Sequence, residues 1–462
     1  MSTEESSQES LLDLSQTEDV DTEKSSSITL RAEISGLGAL LSSLRSDQLT
    51  SEINRLSTSP RDNEEEEETK TSEIRLNRKE KRRLQRLQEE QNSSKVEAKK
   101  SAPEVVEPAK IPSELRKIHS DFASYESYQA SFGYKCTERN NFVHFSLQNQ
   151  QGTHAIAAAQ DRYIRMYSLE ENEIKWKRNM GGLILDACWN DSGNGVFTSA
   201  SRRPIQLYDI LSGEVLGVYN GKDAGDNIKE AMCIGQVGNR LIGGFKNLFQ
   251  LWDVEVTGNS IGTIKYYDKN FNTGITGLSM SLTPHPTMPD LFAAAGSSAL
   301  LGIYSMNWGN AVSTIEGSQR GYTNVQFSPD GLKLYASERG GDIHCFDTRM
   351  NMMTQILRRE MTTCHRSRFD IDTTGRLLFS GTSSGNVAVY DLHDYNEELQ
   401  PVLTSQVASR CVPCVCVRNN RIVLCTGQRV FPEDKLLNEE EGDVDMTDTV
   451  ATGNSVQIWE IL

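Results

Sequence analysis

Cysteine and histidine are the side chains of this sequence best suited to hold a metal ion, and the chain has nine cysteines and seven histidines. The segment CVPCVC, from Cys411 to Cys416, contains one CxxC pair. A tetrahedral zinc site needs a second ligand pair at a suitable spacing, and no histidine forms a paired motif with a cysteine. In a strand, Cys414 and Cys416 share one face, where small apolar residues are common. We interpret these cysteines as buried packing thiols and predict neither a metal site nor a cofactor.

The short motifs that mark many enzymes do not occur either. GxxxxGK[ST], which cradles phosphates, and GxSxG, which exposes a nucleophilic serine, are both missing from the sequence. The glycines of GGFKN (243–247) and SGTSSGN (380–386) fit turns between strands. The sequence therefore predicts a binding module and not an enzyme.

Basic and aromatic side chains recur where apolar runs meet turns. Arginine can bind phosphates while aromatic rings stack on unpaired bases, which suits single-stranded or looped RNA. Each residue alone is more simply a solvated surface charge or a packing ring, and only the set favours RNA. The candidate RNA-binding residues are Arg202, Arg203, Lys246, Arg320, Tyr322, Arg366, Arg429 and Phe431.

Two of these candidates lie in the segment TGQRVFPE, residues 426–433. Gly427 permits a turn, and Arg429 can reach a phosphate or a carboxylate. Phe431 and Pro432 can pack against a neighbouring element. Two interpretations stay open: the segment contacts RNA, or it fixes the seam between the last repeat and the first.

A repeat reveals the elements that must position these residues. An apolar strand ending in an aromatic residue, followed by Asp or a substitute, occurs seven times, with steps of 41, 44, 52, 42, 44 and 69 residues. A period slightly above 40 residues, with four short strands in each unit, is typical of WD-repeat β-propellers. We predict an all-β, seven-bladed WD-repeat propeller. The aromatic residues are Tyr167, Tyr208, Trp252, Tyr304, Phe346, Tyr390 and Trp459.

The chain ends at the seventh aromatic strand, so the outer strand of the last blade must come from elsewhere. We predict that residues 121–136 supply it and close the ring. The predicted organisation is a disordered tail over 1–118 and a propeller over 119–462. An acidic loop insertion at 433–453 explains the last, long step of the repeat.

The net charge of −16 is unevenly distributed. Residues 1–110 carry 24 acidic and 17 basic groups, and residues 433–448 carry eight acidic groups and one basic group. The remainder is close to neutral, so the overall charge does not exclude RNA as a partner. No signal peptide pattern and no apolar run of about 18 residues occurs, which predicts an intracellular protein outside the membrane.

Two stretches of the tail have recognisable patterns. Ile34, Leu37, Leu41 and Leu44 share one helical face, which fits either a docking helix or a transient, unpartnered one. RLNRKEKRRLQRLQEE (75–90) fits a nuclear-import signal or an RNA contact, or else a solvated helix with paired charges.

Four segments together resemble the telomerase Cajal body WD-repeat protein family. They are SASRRPIQLYDILSGEV (199–215), GGFKNLFQLWDV (243–254), FDIDTTGRLLFSGTSSGNVAVYDL (369–392) and TGQRVFPE (426–433).

The resemblance implies an RNA-binding protein of the nucleus and Cajal body, with a share in the cytoplasm, that targets small Cajal body ribonucleoproteins to Cajal bodies. Its implied partners are small Cajal body RNA or other small nuclear RNA, ribonucleoprotein and Cajal body proteins, and telomerase as a further candidate. The alternative is a protein-interaction scaffold, either in small nuclear ribonucleoprotein and splicing assembly or as a substrate receptor of a ubiquitin ligase. The hypothesis of a ubiquitin ligase receptor rests on the segment FDTR, which ends at Arg349.

Overall fold

In the computed structural model of this chain, residues 110–121, 128–129, 135–136, 141–223, 225–363, 366–429 and 453–462 are described. All regular elements in these ranges are β-strands. They form seven sheets of four or five strands, together with two ladders of two strands each. The predicted all-β, seven-bladed propeller is therefore confirmed. Residues 1–109 of the predicted tail and residues 430–452, which hold nearly all of the predicted insertion, lie outside the described residues.

Short turns and loops connect most of the consecutive strands. The first twelve are β1 (Leu115–Asp121), β2 (Tyr128–Gln129), β3 (Lys135–Cys136), β4 (Val143–Gln148), β5 (His154–Ala159), β6 (Tyr163–Ser168), β7 (Glu173–Asn179), β8 (Ile184–Trp189), β9 (Gly195–Ala200), β10 (Ile205–Asp209), β11 (Val215–Asn220) and β12 (Cys233–Val237). The next eleven are β13 (Arg240–Gly244), β14 (Leu248–Asp253), β15 (Gly258–Asn259), β16 (Gly262–Lys265), β17 (Tyr267–Asp268), β18 (Thr273–Gly274), β19 (Ser279–Pro284), β20 (Leu291–Gly296), β21 (Leu300–Ser305), β22 (Asn310–Glu316) and β23 (Tyr322–Phe327). The last eleven are β24 (Lys333–Glu338), β25 (Ile343–Asp347), β26 (Met352–Leu357), β27 (Phe369–Ile371), β28 (Leu377–Gly381), β29 (Asn386–Asp391), β30 (Glu398–Leu399), β31 (Leu403–Gln406), β32 (Cys414–Arg418), β33 (Arg421–Cys425) and β34 (Val456–Ile461).

Each blade is an antiparallel sheet of four strands, from an inner strand at the axis to an outer strand at the rim. Blades 2 and 5 have a fifth strand, β15 and β30 respectively, which pairs in parallel with the outer strand. From blade 1 to blade 7, the four main strands are β4–β7, β8–β11, β12–β14 with β16, β19–β22, β23–β26, β27–β29 with β31, and β32–β34 with β1.

Burial explains why the middle strands are apolar and the outer strands polar. The second strand of blade 1 has the sequence HAIAAA and is almost wholly buried, because neighbouring blades cover both of its faces. The outer strand of the same blade, EIKWKRN, is mostly exposed. Aromatic rings join neighbouring blades: the ring of Phe249 in blade 3 lies 5.1 Å from that of Phe292 and 5.0 Å from that of Tyr304, both in blade 4. The core is thus a ring of apolar seams.

The predicted closing strand is corrected by the structure. The outer strand of blade 7 is β1, Leu115–Asp121, which pairs antiparallel with β34 from Leu115 opposite Ile461 to Asp121 opposite Val456. Only Asp121 of the predicted segment 121–136 takes part, and β2 and β3 form a separate ladder. Leu115 explains the choice, because its buried side chain belongs to the apolar cluster of blades 6 and 7.

The antiparallel arrangement sorts the loops onto two faces. Loops that lead into an inner strand, and loops that join the second strand to the third, lie at one end of the blades, which we call the upper face. The remaining loops form the lower face.

Candidate nucleic-acid interface

The described candidates for RNA binding all lie in or beside loops of the upper face. They come from five of the seven blades, because the loops before each inner strand and after each second strand meet there. Phe431 lies outside the described residues. The described candidates are Arg202 and Arg203 (between β9 and β10), Lys246 (between β13 and β14), Arg320 and Tyr322 (before and at the start of β23), Arg366 (before β27) and Arg429 (after β33).

Arg202 and Arg203 are adjacent, exposed basic residues on one turn. Arg202 has a φ of 58°, a left-handed conformation that turns the chain tightly at this point. The guanidinium of Arg203 lies over Gly181 of the preceding loop, so close that a Cβ at Gly181 would come within 2.6 Å of it. Both side chains are exposed, which leaves their charge accessible to an anion.

Lys246, Arg320 and Arg429 are also exposed, each in a different blade. Arg320 donates to the carbonyl oxygen of Gly340 at 3.4 Å, and its Nη1 lies 3.7 Å from a carboxylate oxygen of Glu338. These contacts hold the Arg320 side chain along the rim without burying it.

Tyr322 differs from the basic candidates because it is fully buried. Its hydroxyl accepts a hydrogen bond from the Ser318 amide and lies 2.8 Å from Nδ1 of His344. Burial raises the pKa of the Tyr322 hydroxyl. The structure presents no face of this ring to a base, so Tyr322 orients the loop that carries Arg320.

Arg366 reaches inward to the axis of the propeller instead of outward to the rim. It donates to the carbonyl oxygen of Leu185 at 3.0 Å and to that of Met232 at 3.4 Å, and it pairs with Asp186 at 3.3 Å. Arg368 pairs with the other oxygen of Asp186 at 2.6 Å. Blade 6 is thereby joined across the axis to blades 2 and 3.

Asp186 is the centre of this cross-axis network, which sequence reasoning missed. Its carboxylate also accepts a hydrogen bond from the Ile234 amide at 2.9 Å. Burial disfavours the charged carboxylate, but the positive charges of Arg366 and Arg368 outweigh burial and lower the pKa of Asp186. The network therefore holds a buried, ionised carboxylate between two guanidinium groups.

A sequence signal for this network existed. Asp186 and Asp370 occupy inner strands in ILDACW and RFDID, and each ties its own blade to the next one. Asp370 accepts a hydrogen bond from the Val417 amide at 2.9 Å and pairs with Arg418 at 2.7 Å. An acidic residue in an otherwise apolar inner strand thus marks a link between blades.

Two cavities meet at the cross-axis network. The cavity on the upper face, about 280 Å³, has mainly apolar walls. The other, about 290 Å³, is more polar and includes Asp370 and Arg418. Arg366 and Arg368 line both cavities, so the network lies where they join.

The cysteines of CVPCVC are buried, as the packing interpretation predicts. The Cys414 thiol donates to the carbonyl oxygen of Ser146 at 3.1 Å, and Cys425 lies opposite it on the neighbouring strand. Burial raises the pKa of Cys411 to about 11. Within the described ranges, no group of three or more His, Cys, Asp or Glu residues is arranged to hold a metal ion. The described residues also contain no helix long and apolar enough to cross a membrane.

Comparison with known proteins gave several sequence matches. No family model matches the chain. The chain is 27% identical over 339 residues to telomerase Cajal body protein 1 of Bos taurus, a match that covers 67% of this chain and 62% of that protein. It is 26% identical over 325 residues to the same protein of Homo sapiens, covering 64% and 59% of the two chains. A shorter match, 32% identical over 79 residues, joins 16% of this chain to 23% of the protein Rae1 of Drosophila melanogaster.

The match therefore spans less than two thirds of the length of these Cajal body relatives. The similarity nevertheless confirms the resemblance that the four sequence segments predicted, and the structure confirms the fold. The chain is a seven-bladed WD-repeat β-propeller protein similar in sequence to telomerase Cajal body protein 1.

Proposed function

We propose that this chain is an RNA-binding WD-repeat protein that targets small Cajal body ribonucleoproteins to Cajal bodies in the nucleus. The observation that carries the proposal is the similarity to telomerase Cajal body protein 1 over 67% of the chain. The name of that relative connects it with telomerase and with the Cajal body. Small Cajal body RNA or other small nuclear RNA is the proposed ligand, and telomerase is a further client. A share of the protein is proposed to lie in the cytoplasm.

The geometry of the upper face supports an RNA ligand. Arg202, Arg203, Lys246, Arg320 and Arg429 are exposed there on four of the seven blades. Cations placed around a rim can contact successive phosphates of a bent, single-stranded RNA. A single basic patch would contact only a few neighbouring phosphates. The proposed interface is therefore the upper rim, with Arg202 and Arg203 as its densest positive site.

The proposal also assigns a binding role without catalysis, and two parts to the chain. Residues 1–118, apart from those that belong to β1, form the proposed tail, in which the basic segment 75–90 serves nuclear import or RNA contact. Residues 119–462, together with the closing strand β1, form the RNA-binding propeller.

Ultraviolet crosslinking of the full chain in cells, with sequencing of the bound RNA, tests the proposal. Enrichment of small nuclear guide RNAs that share a loop motif would support it and identify the ligand. Enrichment of spliceosomal RNAs would support the small nuclear ribonucleoprotein alternative. Equal RNA recovery from the wild type and from an Arg202→Gln/Arg203→Gln variant would contradict RNA binding at this face.

A protein-interaction scaffold is the second candidate function, because the lower face carries exposed apolar side chains. Trp308 is 74% exposed, Met350 64% and Met288 51%, all in lower-face turns of blades 4 and 5. Arg349, the candidate ligase contact of FDTR, stands on the same face and pairs with Asp347 at 2.8 Å. Exposed apolar residues grouped in this way are typical of protein-binding surfaces.

Substitution separates the two functions. Protein partners that are lost from a Trp308→Ser/Met350→Ser variant, while crosslinked RNA is retained, would assign the scaffold role to the lower face. Partners that depend on Arg202 and Arg203 instead would be bound through RNA or through the upper face.

A further inference from the structure

The axial cavity of the upper face, which we call the axial pocket, has a lining that the proposed RNA contacts at the rim do not explain. Apart from Gly427, its wall residues come from the inner strands and from the loops that precede them, so the pocket lies near the axis at the upper face. The walls are mainly apolar, and they include Phe142, Leu183, Met232, Met280 and Pro413.

The inner end of the axial pocket carries an excess of positive charge. Arg366 and Arg368 both line it, and in the described residues Asp186 is the only carboxylate that pairs with either of them. The Nε atom of Arg366 is buried and has no hydrogen-bond acceptor among the described residues. The guanidinium of Arg368 also lies 4.2 Å from the centre of the Phe145 ring. A buried positive charge without a counterion is costly, so this end of the pocket is suited to an anion.

We propose that the axial pocket binds a carboxylate carried on a small apolar body, with the carboxylate directed at Arg366 and Arg368. Apolar walls bind the body by excluding water, and the guanidinium groups bind the carboxylate through charge-assisted hydrogen bonds. A cavity of about 150 Å³ is large enough to bind benzene. A volume of about 280 Å³ therefore has room for a phenyl ring and a short chain that carries a carboxylate. An aromatic acid fits this description, and so does the C-terminal residue of a peptide.

A nucleic acid fits the inner end of the pocket less well. Each internal phosphodiester of an RNA chain continues through a sugar on both sides, so it cannot point end-on into a pocket of this size. An unpaired base could enter, but it is neutral and would leave the excess positive charge uncompensated. The axial pocket therefore binds a terminal anion, while the rim cations outside it bind RNA.

Isothermal titration calorimetry on the full chain tests the axial pocket directly. The probes are 3-phenylpropionate and its neutral amide, 3-phenylpropanamide. We expect the acid to bind and the amide to bind at least about ten-fold more weakly, because only the acid supplies the missing charge. Equal affinities for the two probes, or no heat from either at millimolar concentration, would overturn the proposal.

Two variants locate the binding within the molecule. Arg366→Gln leaves Asp186 paired with Arg368, and we expect it to abolish the preference for the acid over the amide. Leu183→Trp narrows the pocket at a partly exposed wall position, and we expect it to weaken binding of the acid at least about ten-fold without changing any charge. A thermal unfolding curve of each variant shows whether it is folded. Retention of acid binding in a folded Leu183→Trp variant would contradict binding in the pocket.

A third variant separates this inference from the proposed RNA function. Arg202→Gln/Arg203→Gln should retain the affinity for 3-phenylpropionate, because both residues lie outside the axial pocket. Loss of acid binding there would place the acid on the rim and overturn the inference. Displacement of the acid by single-stranded RNA, with loss of RNA binding in Leu183→Trp, would instead make the pocket a base-binding part of the RNA site.

A peptide ending in a free phenylalanine carboxylate, compared with the same peptide amidated, distinguishes the two sources of the ligand. Tighter binding of the free-acid peptide than of 3-phenylpropionate would identify a protein C-terminus as the ligand. Binding of 3-phenylpropionate alone would identify a small organic acid. Either result supports the pocket as a carboxylate site.

Discussion

Single side chains provide both the proposed RNA contacts of the upper face and the contacts that link blades across the axis. Arg202 and Arg203 show the first role, because their exposed charges stand on one tight turn. Asp186 shows the second, because it connects three blades through one carboxylate. Each role predicts a different response to substitution.

Replacing Arg202 and Arg203 by Gln should weaken RNA binding and make it less sensitive to salt. Each lost phosphate contact removes about one unit from the slope of log affinity against log salt concentration. We expect a slope smaller by about one to two units, measured by fluorescence anisotropy with a labelled RNA. Arg349→Gln on the lower face is the matched control. An unchanged slope in the double variant would place the RNA elsewhere.

Asp186→Asn should lower the free energy of unfolding by about 3–5 kcal/mol, because it leaves two largely buried guanidinium groups without a counterion. Urea denaturation at pH 7 measures this change. Asp226→Asn is the control, since Asp226 pairs with Lys222 but is 87% exposed. The lowered pKa of Asp186 means that its contribution is complete above the pKa of the unfolded chain, about 3.9, and is lost as the pH falls further. The difference between the wild type and Asp186→Asn should therefore shrink only below about pH 4.

His344 should make the protein less stable as the pH falls from 7 to 5. Burial lowers its pKa, so the unfolded chain binds a proton more readily than the folded protein over this range. The Tyr322 hydroxyl, which already accepts a bond from Ser318, is best placed to donate to a neutral imidazole. His344→Gln cannot be protonated, so its free energy of unfolding should vary less with pH than that of the wild type. An equally steep pH dependence in both proteins would assign the effect to His154 or His285, whose pKa values are also lowered.

At the scale of elements, sequence reasoning identified the repeated strands but not the strand that closes the ring. The aromatic residue at the end of each third strand recurs because neighbouring blades bury it, so its period is visible in the sequence. The closing strand LRKIHSD has no such pattern, because it lies at a rim where Arg116 pairs with Glu460 and Ile118 is exposed. Leu115 is the buried anchor of β1 among the side chains that the structure describes, and it could not be distinguished from other leucines near the tail.

Leu115→Ala should lower the free energy of unfolding by about 2–3 kcal/mol, because it leaves a cavity in the seam of blades 6 and 7. Ile111→Ala, at a residue 47% exposed just before β1, is the control and should change stability by less than about 0.5 kcal/mol. Chemical denaturation of both variants gives the comparison. Equal effects would mean that β1 does not support blade 7.

At the scale of the whole molecule, topology accounts for the part of the site that could be predicted. Basic residues were selected where strands meet loops, and a propeller brings loops of this kind from every blade to one face. The cross-axis pairing of Arg366 with Asp186 could not be foreseen, because the two residues are 180 positions apart and no repeat pattern relates them. Periodicity predicts contacts between equivalent positions of adjacent repeats, whereas this contact spans the ring.

The uneven charge of the molecule leads to a last prediction. Residues 433–448 carry eight acidic groups and one basic group, and they lie in the chain between Arg429 and the start of β34. Replacing the eight acidic residues by Asn and Gln keeps the length of the segment and removes charge that repels RNA from the upper face. We expect tighter RNA binding than in the wild type at about 0.05 M salt and equal binding near 1 M salt, where the screening length falls to about 3 Å. Fluorescence anisotropy across this salt series measures the difference. An affinity gain that persists at 1 M salt would show that these residues act by direct contact and not through their long-range charge.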